Sequence, residues 1–277
     1  LNKGRTRIAP TPSGFLHVGN LYAFLHTAQR AKENGWSLRL RIDDLDRSRF
    51  RQAYLEDVFA LLNTLGIPWE EGPRDATDFL AHYRQELRMP LYQSYLQQLR
   101  AAGWVYACSC SRSQLASHPH YPGTCRHKQL PLDDPNLPWR LRLSEDAAVQ
   151  LLDLQGMAQT INLAGLLGDP VVLRKAENGI RWPAYQLACV ADDVLYQTTH
   201  IVRGQDLYES SLIQLFIAQC LHLTTFTQIR FEHHPLLTTP DGRKLSKSAG
   251  DHKGRSLLED YPSQESLLAL VRRWSGK

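Results

Sequence analysis

The sequence predicts an α/β fold in which a parallel-sheet domain is split by an inserted α+β subdomain and followed by a short helical segment. Three observations carry that expectation. The first fifty residues read strand, Pro/Gly loop, helix, strand; a stretch rich in Cys and Pro interrupts the middle of the chain; and regular sequence resumes beyond Arg181. The 277 residues, 43% hydrophobic and 22% charged, suit one large or two modest domains and exclude a disordered chain, a collagen or a small disulfide scaffold. Lys and Arg number 32 against 28 acids, a net charge of +4 that permits a polyanionic partner without demanding one. No apolar run approaches the roughly 18 residues of a membrane span, and no apolar h-region follows Leu1-Asn2-Lys3-Gly4-Arg5. A soluble cytoplasmic protein without a membrane partner is expected.

Thr6 to Ala9 is the first expected strand, stopped by Pro10, and Pro10-Thr11-Pro12-Ser13-Gly14 is a loop. From Asn20 onward Leu21, Phe24, Leu25, Ala28 and Ala31 recur at helical spacing until Gly35, which suits a left-handed C-cap. Trp36, Leu38, Leu40 and Ile42 then alternate with Ser37, Arg39 and Arg41, a period of two that leads to Asp43-Asp44-Leu45-Asp46. This order implies a parallel pair with a right-handed crossover. Ligands of such sheets bind beyond the carboxyl ends of the strands, where both the Pro/Gly loop and the acidic cluster lie.

Tyr54 to Leu65 and Tyr92 to Ala102 read as helices ended by Gly66 and Gly103. Pro131 to Pro138 is a linker. Leu187 to Val194 and His200 to Val202 read as strands, Ser210 to Leu221 as an apolar helix, and Leu236 to Thr239 runs into the turn Pro240-Asp241-Gly242. The expected organisation is a split parallel-sheet domain (1–91 and 182–248), an inserted subdomain (92–181) containing the cysteine segment 104–128, and a short helical C-terminal segment (249–277).

Ala9 to Asn20 enters a helix N-terminus, where unpaired N–H groups and the positive end of the dipole attract an anion such as phosphate. His17 stands just before that end, where a neutral imidazole serves as a hydrogen-bond donor, and Gly19 lets a flat ring lie against the backbone. Standing alone, the same loop reads first as Asn20 capping a helix beside a surface histidine. Lys244 and Lys247, interleaved with Ser246 and Ser248, suit a triphosphate whose charge builds in a transition state, or a solvated basic loop. Neither a GxGxxG nor a Walker A pattern occurs.

Of five cysteines, Cys108, Cys110 and Cys125 fall within eighteen residues, a metal-like spacing and not a disulfide ladder. Cys189 and Cys220 sit in apolar stretches as small buried hydrophobes. Zinc takes four ligands in a tetrahedron. Ligand chemistry alone makes His118, His120 or His127 the fourth, because imidazole outranks phenol for zinc.

Pro10-Thr11-Pro12-Ser13-Gly14 through His17-Val18-Gly19-Asn20, together with Lys244-Leu245-Ser246-Lys247-Ser248, resembles the two signature motifs of class I aminoacyl-tRNA synthetases. The resemblance continues through Arg39 to Asp46, Tyr185 to Asp193 and Ile201 to Leu207. These five blocks, spread over most of the chain, occur in the order found in the catalytic domain of glutamyl-tRNA synthetases. A Rossmann-type nucleotide-binding domain is implied. So is adenylate chemistry, in which a carboxylate attacks the α-phosphate of ATP, pyrophosphate leaves and the acyl group passes to an RNA hydroxyl. By the resemblance His17, Gly19, Asn20 and Lys247 contact ATP, with Mg²⁺ accompanying it, and His17, Asn20, Lys244 and Lys247 are catalytic. Arg7, Ile8, Ala9, Pro10, Thr11, Asp43, Tyr185 and Arg203 line the glutamate pocket. There a guanidinium at Arg203 pairs with a side-chain carboxylate through a fork that an amide cannot match.

Only 29 residues follow Ser248, too few for another independently folding domain. That shortness resembles the branch of the family that joins glutamate to the queuosine base of tRNA(Asp), and the cysteine segment is similar to that branch's zinc site, which adds Tyr121 to Cys108, Cys110 and Cys125. The resemblance thus favours Tyr121 as the fourth ligand, with His120 in reserve, and implies glutamate, ATP and queuosine-containing tRNA(Asp) as partners of a monomer. Two residues depart from the family: Asp43 stands where Glu is common, as in the glutamine enzymes, and Asn20 replaces a second His. Competing expectations are a compact enzyme charging the 3′ end of tRNA(Glu), and an idle zinc-containing RNA-binding paralogue.

Overall fold

A computed structural model describes residues 3–237 and 254–275. In chain order its elements begin with β1 (Arg5–Ile8), α1 (Val18–Asn34), β2 (Ser37–Leu40), α2 (Gln52–Thr64), α3 (Ala76–Asp78), α4 (Met89–Ala101), β3 (Val105–Ala107), α5 (Arg112–Leu115) and β4 (Trp139–Leu141). There follow β5 (Ala148–Leu152), β6 (Ala158–Asn162), β7 (Val171–Leu173), α6 (Tyr185–Leu195), β8 (His200–Gly204), α7 (Tyr208–Cys220), α8 (Thr224–Thr227), β9 (Arg230–His234) and α9 (Gln264–Ser275). They form two compact units: residues up to Leu87 with Thr199–Leu207 and the chain from Glu232 onward, and Arg88–Thr198 with Tyr208–Phe231. No helix among the described residues is long and apolar enough to cross a membrane.

In the first unit β1 and β2 pair in parallel, Arg5 opposite Ser37 through Ile8 opposite Leu40. The ladder continues past both strands, since the Arg41 N–H donates to the Ile8 carbonyl and the Asp43 N–H to the Pro10 carbonyl, each at 2.9 Å. The acidic cluster is therefore held against the Pro/Gly loop by backbone bonds. Thr199 pins the start of β8 to the start of β1: its N–H donates to the Arg5 carbonyl at 2.9 Å and its hydroxyl accepts from the Arg5 N–H at 2.7 Å. α1 lays Val18, Leu21, Phe24 and Ala31 into the core with Leu55, Val58, Leu61 and Leu62 of α2 and Leu267, Leu270 and Val271 of α9. Gly35, at φ 64°, ends α1. Its N–H donates to Lys32 and the Trp36 N–H to Ala31 at 2.9 Å, a Schellman pairing that satisfies the helix's last carbonyls.

The second unit contains an antiparallel sheet in the order β3-β4-β7 and the antiparallel hairpin of β5 and β6. One expected strand is corrected here: Leu187 to Val194 lies inside helix α6. This run is buried on every side from Leu187 through Asp193, so it shows neither helical amphipathicity nor strand alternation. Buried Asp192 accepts both nitrogens of a fork from Arg88, at 2.7 and 2.9 Å, and the Tyr92 hydroxyl at 2.7 Å. Cys189 and Cys220 are buried, and burial pushes the Cys220 thiol up to about 12.

Candidate active site

Arg7 ends up buried near the end of β1, and Ile8, Ala9 and Pro10 carry the chain out over the sheet edge to exposed Thr11. Beside them Asp43, 5% exposed, accepts a fork from the equally buried Arg41, Nε to Oδ1 at 2.8 Å and Nη2 to Oδ2 at 3.2 Å. A carboxylate so held keeps its orientation. Sequence reasoning named Asp43 but not the arginine that aims it. The alternation of Arg39, Arg41 and Asp43 along one strand edge was the available signal.

His17 is the N-cap of α1, not Asn20. Its Nδ1 accepts the Gly19 N–H at 3.1 Å, and its own N–H donates to Asn20 Oδ1 at 3.0 Å, a reciprocal capping box. Because Nδ1 acts as acceptor, the neutral ring carries its proton on Nε2, a donor beside a helix N-terminus. A Cβ on residue 19 would stand 2.9 Å from the His17 ring, so Gly19 first serves to let that ring fold over the helix start. Asn20, the departure from a second His, is thereby a capping residue in the same unit.

Arg203 is buried on β8, 4% exposed. With the strand starts pinned together by Thr199, it falls toward the carboxyl end of β1. His233 on β9 was not anticipated. Burial, with help from the Arg203 charge and from His234, lowers it to about 4, so it stays neutral near Arg203. Tyr185 opens α6 in the second unit and is 41% exposed. Lys244 and Lys247 lie outside the described residues.

Within the second unit, the sulfurs of Cys108, Cys110 and Cys125 all lie within 4.8 Å of one another. No histidine joins this group among the described residues; His118, His120 and His127 are exposed. The Tyr121 hydroxyl oxygen instead lies 3.5 Å from Cys108 Sγ and 4.0 Å from Cys110 Sγ, and Cys110 and Cys125 Sγ are 3.5 Å apart. A tetrahedron with bonds of about 2.3 Å to sulfur and about 2.0 Å to oxygen has S···S edges near 3.8 Å and O···S edges near 3.5 Å. Three sulfurs and one phenol oxygen therefore fit a closed four-ligand site. Burial opposes a Cys125 thiolate, but donors from Ser109, Cys110 and Tyr121 outweigh it and lower that thiol to about 6.

A polar scaffold supports the cluster. Asp169, 1% exposed, accepts a fork from Arg126 at 2.9 and 2.6 Å, the Leu143 N–H at 2.9 Å and the Tyr106 hydroxyl. Its carbonyl accepts from Arg140, whose guanidinium covers the Tyr121 ring.

The chain matches the family model described as tRNA synthetases class I (E and Q), catalytic domain, over residues 3–275. It is 37% identical over 273 residues to the Glutamyl-Q tRNA(Asp) synthetase of Methylococcus capsulatus, covering 96% of this chain and 83% of that one. To the protein of the same name from Symbiobacterium thermophilum it is 39% identical over 289 residues, covering 98% and 86%. The solved structure of a glutamate-tRNA synthetase from Elizabethkingia anophelis aligns with a TM-score of 0.67 at 26% identity, over 92% of this chain and 54% of that chain, so this chain spans about half of its length. With its parallel β1–β2 edge and capped α1 matched from end to end, the chain belongs to the class I tRNA synthetases, sharing the catalytic domain of the glutamate and glutamine enzymes.

Proposed function

We propose that this chain activates L-glutamate as an adenylate without tRNA and transfers the glutamyl group to the queuosine base at the first anticodon position of tRNA(Asp). One observation carries the chemistry. At the start of α1 the neutral His17 offers an Nε2–H donor, in the same unit as the buried cations Arg7 and Arg203 and the fixed carboxylate Asp43. The name shared by the relatives supplies the acceptor.

In this reading ATP lays its phosphates at the α1 N-terminus, where His17 Nε2–H and the amides of the first turn meet them. Asp43 pairs with the α-ammonium of glutamate and Arg203 with its side-chain carboxylate, which excludes glutamine because an amide cannot fill both positions of the fork. The α-carboxylate oxygen attacks the α-phosphorus and the bond to pyrophosphate breaks, with Lys244 and Lys247 taking the leaving charge. A queuosine hydroxyl then attacks the acyl carbon, AMP leaves and the hydroxyl proton passes to solvent. Orientation and fixed charge supply most of the rate.

Zinc would be held by Cys108, Cys110, Cys125 and Tyr121, where a closed set of protein ligands makes it a structural crosslink of the segment and no participant in acyl transfer. Glutamate-dependent exchange of pyrophosphate into ATP, without tRNA, tests the first half. Absence of exchange with glutamate would overturn it. Labelled glutamate loaded on queuosine-containing tRNA(Asp) tests the second: label must survive removal of the 3′-terminal adenosine, and label lost with that adenosine assigns the product to a charged 3′ end.

A further inference from the structure

α2 buries a carboxylate that the proposed chemistry does not use. Asp57 is 5% exposed among the apolar side chains of α2, and burial, aided by the nearby Glu259 charge, raises its pKa against the pull of its hydrogen bonds. An ionised group in such a place is costly unless donors satisfy it. Its two donors come from distant parts of the chain. Oδ2 accepts the Leu16 N–H at 3.2 Å, and Oδ1 accepts the hydroxyl of Ser256. Leu16 immediately precedes His17, the N-cap of α1. Ser256 lies nine residues beyond Lys247 in the sequence. It is itself locked in place, since its hydroxyl oxygen accepts the Leu258 N–H at 3.1 Å and its own N–H donates to Glu259 at 3.2 Å.

We infer that Asp57 is a positioning residue for adenylate formation: one carboxylate ties the backbone that sets His17 to the segment at Ser256, which follows Lys247 in the sequence. Asparagine is not a clean probe of this tie, because its Oδ1 can accept the Leu16 N–H while its Nδ2–H donates to Ser256 Oγ, whereas alanine removes both contacts. A small displacement of a group that meets reacting phosphates lowers the rate steeply, whereas glutamate recognition, which rests on other residues, is untouched. This role rests on the proposed glutamate activation.

The test uses the full chain and glutamate-dependent pyrophosphate exchange, with ATP and glutamate varied separately, for Asp57→Ala, Ser256→Ala and the double variant. Each single variant is expected to lower kcat about tenfold with the KM for glutamate unchanged, and the double variant to be no slower than Asp57→Ala, because both substitutions break one tie. Rates within twofold of wild type in both single variants, or losses that multiply in the double variant, would overturn the role while leaving glutamate activation standing. A wild-type chain that exchanges no pyrophosphate would remove the activation reading and this role together.

Discussion

The guanidinium of Arg140 lies over the ring of Tyr121, 3.7 Å from its centroid, while the Cys125 N–H donates to the phenol oxygen at 2.8 Å. A cation on the ring face and a donor on the oxygen both favour negative charge on that oxygen. Phenol is a poor zinc ligand by its own chemistry, and burial with the Cys108 contact pushes the Tyr121 hydroxyl well above its ordinary value. These two contacts work against that shift, and a bound zinc ion would have to displace the proton. Tyr121→Phe keeps the ring under Arg140 and removes only the oxygen. Metal analysis after dialysis against a chelator should show clearly less zinc in that variant than in wild type; equal retention would exclude the phenol from the site.

Cys110→Ser removes a thiolate outright. Structural zinc supplies on the order of 10 kcal/mol of folding energy to a small motif, so its loss should open segment 104–128 to protease. Pyrophosphate exchange should persist, because the cluster lies in the second unit and the His17, Asp43 and Arg203 groups in the first. Unchanged zinc content together with unchanged protease resistance would count against the site.

Arg203→Gln keeps much of the side-chain volume and removes the charge from the buried position on β8. Loss of one partner of a buried charge pair costs about 3 to 5 kcal/mol, so the KM for glutamate should rise by a hundredfold or more while that for ATP stays near wild type. A normal glutamate KM in steady-state exchange would disprove the pocket assignment.

How far the sequence reveals this molecule depends on whether local pattern or distant partners decide the outcome. α1 is legible because its apolar stripe and Gly35 act within one helix, and β1–β2 because alternation and a right-handed crossover leave one arrangement. α6 is illegible because full burial erases the periodicity that separates helix from strand. At the site, His17 and Asp43 stand out by motif. The groups that orient or neutralise their surroundings, Arg41, His233 and Asp57, do not, because their roles arise from contacts in three dimensions.

In the second unit, Asp192→Asn leaves Arg88 buried without its full countercharge, although the side-chain volume is unchanged. Such a loss is worth about 3 kcal/mol. For a chain of this size the thermal midpoint should fall by roughly 6 to 12 °C, read by calorimetry at neutral pH. A shift under 2 °C would show the fork to be energetically neutral.

Acid sensitivity follows from His233. An unfolded histidine takes up its proton near pH 6.5, but the folded one does so only near 4, because burial and the Arg203 charge oppose the imidazolium. Between those values the unfolded chain binds more protons, so stability rises with pH across the window and is lost as the pH falls from about 6.5 to about 4. The slope is at most about 1.4 kcal/mol per pH unit, a ceiling on the order of 3 kcal/mol for the whole window. His233→Gln removes this proton uptake while the carboxylates continue to titrate. Urea unfolding at pH 7 and at pH 4.5 should therefore show wild type losing more stability on acidification than the variant does. Equal losses would mean that His233 accepts its proton in the folded state as readily as in the unfolded one, and that Arg203 exerts no hold on it.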